Sequence, residues 1–206
     1  MISIAIDGPA GAGKSSICRR LAEELHYLHV DTGAIYRAVG LYMLRQNKNP
    51  ADPAEVLPLL PQVKIDLQFV EGEQRILLNG EDVSEAIRLP EASAAASAVS
   101  ALPEVRAYLL EQQRSLARQH DVIMDGRDIG TVVLPDATIK IYLTAAPEAR
   151  ARRRWLEQQQ KGIQESYEEV LAAVKKRDYD DSHRVAAPLR QAEDAWLCDS
   201  SELDFE

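Results

Sequence analysis

Only two cysteines occur in this 206-residue chain, Cys18 and Cys198, and they form no CxxC pair and no sequence cluster with the four histidines. That spacing excludes the usual zinc motifs and a disulfide framework, and suits buried thiols in a reducing compartment. No apolar stretch approaches the ~18 residues of a membrane span. The opening Met1-Ile2-Ser3-Ile4 lacks the basic region and long apolar run of a secretion signal. A cytoplasmic location with no membrane partner is expected. The formal net charge is −9, so the basic footprint of a nucleic-acid binder is also missing. A small anionic ligand stays open, because local arginine clusters override the global sign. There is no repeat and no low-complexity tract beyond the Ala/Ser-rich run 92–101, whose small side chains suit a helix packed closely against a neighbour. Apolar residues at 46% and charged residues at 28% exclude bulk disorder, and the length fits one domain with an inserted piece.

What is present begins with a strand. Ile2, Ile4 and Ile6 alternate with small residues, a glycine-rich turn spans 8–13, and Ile17, Leu21, Ala22 and Leu25 follow at helical spacing. A second strand, 28–30, leads through the cap candidates Asp31 and Thr32 into a helix to about Gln46. This β–loop–α–β–α order opens a parallel α/β sheet. The pattern then changes. Asn49-Pro50-Ala51-Asp52-Pro53 breaks the chain, and Val63, Ile65, Leu67 and Phe69 alternate with polar residues. A turn at Glu71-Gly72, a strand 75–78 and the hairpin signal Asn79-Gly80 complete a small antiparallel insert over about 58–85. Further on the pattern predicts a helix from Pro103 to about Gln119, strands at 122–124 and 139–143, and an arginine-rich helix after Pro147. It ends with a helix over about 166–177, a charged loop and a last short strand at 196–198.

Gly8-Pro9-Ala10-Gly11-Ala12-Gly13-Lys14-Ser15 fits G-x-x-x-x-G-K-[ST]. Glycines let the backbone curl so that successive N–H groups point at phosphate oxygens, and the following helix offers its free N–H groups to the same anion. Lys14 reaches the β- and γ-phosphates in such a loop, and Ser15 ligates Mg²⁺. Roughly one chain in a hundred of this length would carry the pattern by chance, and here a strand precedes it and a helix follows. The P-loop does not name the acceptor. Asn47-Lys48-Asn49-Pro50 fails the Asn-Lys-x-Asp pattern of a GTPase, and the length leaves little room for a motor.

Phosphoryl transfer needs positioning and charge neutralisation more than covalent help. Arg150, Arg153 and Arg154 share one helix face, Arg177 and Arg184 flank the acidic run 178–181, and Arg37 and Arg127 sit near strand ends. A single arginine is ordinarily a solvated surface charge. Several near the carboxyl ends of strands mark a ligand site in an open α/β sheet. A kinase of a small anionic acceptor fits best. A regulator that binds ATP and changes shape is the rival of another class, and it has no need of a second phosphate site.

These motifs resemble those of the bacterial cytidylate kinases over essentially the whole chain. The resemblance rests on the P-loop, on Asp31-Thr32-Gly33-Ala34-Ile35-Tyr36-Arg37, on Asp125-Gly126-Arg127-Asp128-Ile129-Gly130-Thr131-Val132-Val133 with Pro135-Asp136-Ala137, and on Arg177-Asp178 through Arg184 with Ala187-Pro188-Leu189. It implies a P-loop NTPase fold: a parallel sheet flanked by helices, an antiparallel monophosphate-binding insert at about 58–85, and a helical lid at about 147–180. The core would then comprise about 1–57, 86–146 and 181–206. It implies transfer of the γ-phosphoryl of ATP to CMP or dCMP by a monomer with Mg²⁺, with UMP or AMP as the same-fold alternatives. Gly8 through Ser16, with Ser16 the last, would hold ATP, and Arg153 and Arg154 would close over it. Arg37, Arg127, Arg177 and Arg184 would hold the acceptor phosphate, with Thr32 and Tyr36 beside it. Ser97, Arg106 and Asp128 would read the cytosine edge, and Asp181 would meet the sugar hydroxyls. Asp125 stands where a carboxylate can reach Mg²⁺ through water or cap a loop. The histidines, His26, His29, His120 and His183, show no motif and are expected to be exposed or locally packed. Such kinases usually continue past the final strand into another helix, so an end at Glu206 is expected to cost stability rather than chemistry.

Overall fold

Two strands meet at the centre of the molecule, and their carboxyl ends position everything that follows. The computed structural model describes residues 1–70, 73–160 and 162–203. Strand β1 (Ser3–Asp7) enters the P-loop, and helix α1 (Lys14–Leu25) returns to strand β2 (Leu28–Asp31). Helix α2 (Thr32–Arg45) follows, capped by Asp31, whose carboxylate accepts from Ala34 N at 3.0 Å. The breaker cluster forms α3 (Pro53–Val56), capped by Asp52. Strands β3 (Ile65–Val70), β4 (Glu73–Leu78) and β5 (Glu81–Asp82) make the predicted antiparallel insert as a three-stranded sheet. The predicted turn at Glu71-Gly72 lies outside the described residues.

Two proline-led helices come next, α4 (Pro90–Ser100) and α5 (Pro103–Gln119), each with Pro at its first position, where the missing N–H costs nothing. Strand β6 (Val122–Gly126) ends in a single π-helical turn, Ile129–Val133. Strand β7 (Ile139–Thr144), helix α6 (Pro147–Gln160), helix α7 (Tyr167–His183) and strand β8 (Trp196–Asp199) complete the chain. Among the described residues no helix is long and apolar enough to cross a membrane.

The main sheet is wholly parallel in the order β2-β6-β1-β7-β8. From β1 the chain runs outward to β2 on one side, and from β6 it runs outward to β7 on the other. The crevice beyond the carboxyl ends of β1 and β6 is therefore the topological switch point, where open α/β sheets bind ligands. Both central strands are buried almost throughout, as a sheet covered on both faces requires, whereas β3 alternates buried and exposed positions.

The largest apolar cluster joins α2, α4 and α5 to the insert through Ile35, Met43, Ile76, Val99 and Leu109. The Ala/Ser-rich run is the predicted close-packing helix. At Gly40 on α2, an added Cβ would lie 2.8 Å from the Ala95 Cβ, so the two helices touch almost backbone to backbone. The charged run 178–181, expected as a loop, instead lies in the last two turns of α7. Ser166 and Glu169 form a capping box at its start, and Arg177–Asp181 and Lys176–Asp180 pair at i, i+4 near its end.

Candidate functional site

At the end of β1 the chain turns so tightly that a Cβ on Gly8 would fall 1.8 Å from the Leu143 carbonyl oxygen. Gly13 holds φ of +90° as it enters α1, a conformation that favours glycine. Helices α2, α3 and α7 begin with side-chain caps, but α1 has none and no acidic residue in its first turn. Its opening N–H groups and positive dipole end are left for an anion. Lys14 is buried, and its ammonium donates to the Gly8 and Pro9 carbonyls, each at 2.8 Å. Burial, reinforced by nearby Arg127, pushes its pKa down to about 7. Arg150 supports the loop from beneath: its guanidinium donates to the Ala10 carbonyl at 3.0 Å and pairs with Asp178.

Asp125 closes the other side of the crevice, one strand over. Its carboxylate accepts from the Ser15 hydroxyl at 3.0 Å and lies 2.7 Å from His29 Nε2, while the Thr32 hydroxyl donates to its backbone carbonyl at 2.7 Å. Asp7, at the end of β1, accepts from the Ile129 and Gly130 N–H groups at 2.7 Å each, tying the turn after β6 to the central strand. Burial drives the Asp7 carboxyl up to about 6, against the pull of those two N–H groups.

Beyond Asp125 the cleft becomes a wall of arginines. Arg106 pairs with buried Asp128, donates to the Ser100 carbonyl at 3.2 Å and lies 5.2 Å over the Tyr36 ring. Arg184 approaches the same Asp128 at 3.8 Å. Arg127 and Arg177 converge on Asp181 at 2.8 and 3.2 Å. Burial alone would raise the Asp181 carboxyl, but Arg127 and Arg177 outweigh it and hold it below the usual range. Arg37 is anchored on Asp31 at 2.7 Å. Arg37 Nε and Arg184 Nη2 are buried without a hydrogen-bond partner, donors that a phosphate or a carbonyl oxygen would satisfy. The cleft encloses about 250 Å³. Six arginines (37, 106, 127, 154, 177 and 184) and Lys14 face Asp31, Asp125, Asp128 and Asp181. A protein of net charge −9 thus keeps a cationic pocket at its switch point.

Most of the sequence-predicted residues meet here. Ala10, Gly11, Lys14 and Ser15 line the cleft with Thr32, Tyr36, Arg37, Arg106, Asp125, Arg127, Asp128, Arg154, Arg177, Asp181 and Arg184. Gly8, Pro9, Ala12 and Gly13 shape the loop behind them, and Ser16 sits exposed on the first turn of α1. Two predicted residues are placed elsewhere. Arg153 donates to the Ser200 and Leu203 carbonyls, because the α6 positions fan out: Arg150 goes beneath the P-loop, Arg153 toward the C-terminal segment and Arg154 into the cleft. Ser97 lines a neighbouring groove between α4 and α7, and Ser93 and Ser100 hold the cleft wall instead, one helical turn either side. Asp7 and His29 carried no site role in the sequence, and Arg150 entered only as one of three arginines on a helix face. Asp7 could have been found from its place directly before Gly8 at a strand end.

The comparisons with known proteins follow the same line. A family model described as cytidylate kinase matches residues 4–206. A cytidylate kinase of Caldicellulosiruptor bescii is 54% identical over 205 residues, covering 100% of this chain and 91% of that protein. One of Lactobacillus johnsonii is 45% identical over 206 residues, covering 100% and 90%. Among solved structures, an uncharacterized protein from Eubacterium ventriosum shares the fold, with a TM-score of 0.52 at 13% identity over 99% of this chain and 91% of that one. The P-loop, the arginine wall and the whole-length match agree, and the chain belongs to the cytidylate kinase family.

Proposed function

We propose that this chain is a nucleoside monophosphate kinase that transfers the γ-phosphoryl group of ATP to CMP or dCMP, giving ADP and CDP or dCDP. The observation that carries it is one continuous cleft with a P-loop at one end and an arginine wall at the other. It has room for a donor and an acceptor phosphate side by side, which a nucleotide-triggered switch would not need.

The P-loop amides and the N-terminus of α1 hold the β- and γ-phosphates, and Lys14 swings from its loop carbonyls onto them. The acceptor needs no general base. The second pKa of a phosphomonoester is near ~6, so its oxygen is already largely anionic at neutral pH. That agrees with a cleft lined by no histidine among the described residues. Arg37, Arg127, Arg177 and Arg184 hold the acceptor phosphate, and with Arg154 they neutralise charge on the transferring group. Asp181 fixes Arg127 and Arg177 and presents its carboxylate toward the sugar. Asp128 accepts from the exocyclic amine of cytosine, while Arg106, stacked on Tyr36, donates to the ring acceptors. Uracil would place a carbonyl against that carboxylate, leaving a buried polar group unpaired.

Ser15 and Asp125 bring two hard oxygen donors together beside the phosphate site, the donor type Mg²⁺ prefers. They would hold the ion, which supplies charge neutralisation to the nucleotide phosphates. The helical hairpin of α6 and α7 has its own small core around Ala151, Val170 and Val174. It serves as a lid over about 147–180 that excludes water, and the insert over 58–85 closes on the acceptor. A coupled assay of ADP release with ATP and Mg²⁺ tests the reading against CMP, dCMP, UMP, AMP and no acceptor. Turnover with CMP and dCMP far above the rest is expected. Preference for another monophosphate would overturn the base-reading roles of Arg106 and Asp128.

A further inference from the structure

Neither cysteine lies near a histidine in the sequence, yet the fold makes a cluster. Cys18 on α1, His29 on β2 and Asp125 on β6 bring one ligand atom each to within 4.8 Å of one another. The Cys18 side chain is fully buried, and those of His29 and Asp125 are only 10% and 4% exposed. Cys18 and Asp125 are fixed by regular elements, and Asp125 is steadied from outside the cluster by the Ser15 hydroxyl at 3.0 Å. We propose that Cys18, His29 and Asp125 form a binding site for a zinc-class transition metal ion directly behind the phosphate cleft.

The donor set selects the ion. One sulfur, one imidazole nitrogen and one carboxylate oxygen suit Zn²⁺ or Co²⁺, whereas Mg²⁺ takes oxygen ligands and would leave Cys18 and His29 unused. Three protein donors leave a fourth position for water or a phosphate oxygen, the arrangement of an open zinc site. On entry the ion replaces the contact between His29 Nε2 and Asp125, the imidazole binds neutral, and the thiol binds as thiolate with release of one proton to solvent. A way in exists: a second cavity of about 240 Å³ between α1 and the insert is lined by His29, Ser15, Arg19 and Asp31. The site shares Asp125 and Ser15 with the nucleotide side of the cleft. An ion held there therefore inhibits phosphoryl transfer, a consequence that rests on the kinase reading, whereas binding itself does not.

The full chain, free of nucleotide, is titrated with Co²⁺ and followed by its thiolate-to-cobalt charge-transfer absorption. The expected result is a band that saturates at one ion per chain and is displaced by Zn²⁺. It should be absent from Cys18→Ala, unchanged in Cys198→Ala, and weakened in affinity by about tenfold or more in His29→Asn. Thermal melting confirms that each variant is folded, and His29→Asn carries the test if Cys18→Ala is not. No thiolate band in the native chain, or a band lost with Cys198 rather than Cys18, overturns the site. In the activity arm, Zn²⁺ added under excess Mg²⁺ and ATP should inhibit the native enzyme at least about tenfold more effectively than Cys18→Ala. Equal inhibition of both, with the cobalt band intact, overturns the inhibitory consequence and leaves the binding site standing.

Discussion

The P-loop end of the cleft, the proposed donor half, and the arginine wall, the proposed acceptor half, gather positive charge with different materials. The donor half is a contiguous stretch of backbone: residues 8–15 curl round a space, and Lys14 is its one charged side chain. The acceptor half is built from side chains delivered by α2, α5, the end of β6, α7 and the segment after it. Amide groups in a turn are aimed by φ and ψ alone. Guanidinium groups must be aimed by partners, and here each aspartate in the wall holds one or two arginines. The donor half therefore depends on local conformation and the acceptor half on the correct packing of distant elements.

The largest effect is expected at Asp128. Asp128→Ala leaves Arg106 and Arg184 buried without their counter-charge, which is expected to cost about 3–5 kcal/mol in urea unfolding. Next comes Lys14→Ala on the donor side. It should lower kcat about 10²–10³-fold while leaving CMP affinity, read by calorimetry, nearly intact. Gly40→Ala tests the packing that carries the acceptor wall. Its new Cβ meets the Ala95 backbone carbon at 2.9 Å, and a loss of about 1–3 kcal/mol is expected in thermal melts.

A proton-linkage experiment sharpens the donor side. Burial holds Lys14 at about 7, and a bound phosphate raises it, so the complex binds more protons than the free protein. The sign follows: ATP binding takes up a proton, and affinity falls as pH rises above 7. Calorimetry in buffers of different ionisation enthalpy should show uptake approaching a full proton by about pH 8. No uptake would mean that Lys14 is already charged in the free protein. The smallest effect is expected at Gln74 on β4, whose amide accepts from Asp31 N at 3.0 Å and donates to the Asp31 carbonyl at 3.2 Å. Gln74→Ala should cost about 1 kcal/mol and loosen the insert, detectable as faster amide exchange in α2's first turn.

Much of this was legible in the sequence where the deciding interactions are local. The P-loop is a run of eight residues, α5 is bounded by Pro103 at its start, and the insert is marked by alternation and Asn79-Gly80. The Ala/Ser run could be read as a tightly packed helix because small side chains have one main use on a buried face. Reading failed where a neighbour decided. Residues 178–181 looked like a loop because they are charged, but arginines one turn away and at β6 make Asp181 a satisfied buried acid. Arg153 and Arg154 share a helix face, yet adjacent positions point about 100° apart, so one guanidinium reaches the cleft and the other the C-terminal segment, while Ser97, given by the resemblance, lines the groove beside the cleft.

Element order, the phosphate loop and the stock of arginines follow from the amino-acid sequence alone, because propensity, periodicity and turn chemistry act over a few residues. Long-range packing sets β1 and β6 side by side, so that Asp125 faces Ser15. The same packing sets which arginine meets which aspartate, and brings Cys18 and His29, without a motif between them, into one buried corner. Those outcomes depend on strand order and helix packing, which arise from burying apolar surface across the whole chain and leave no mark at any one position.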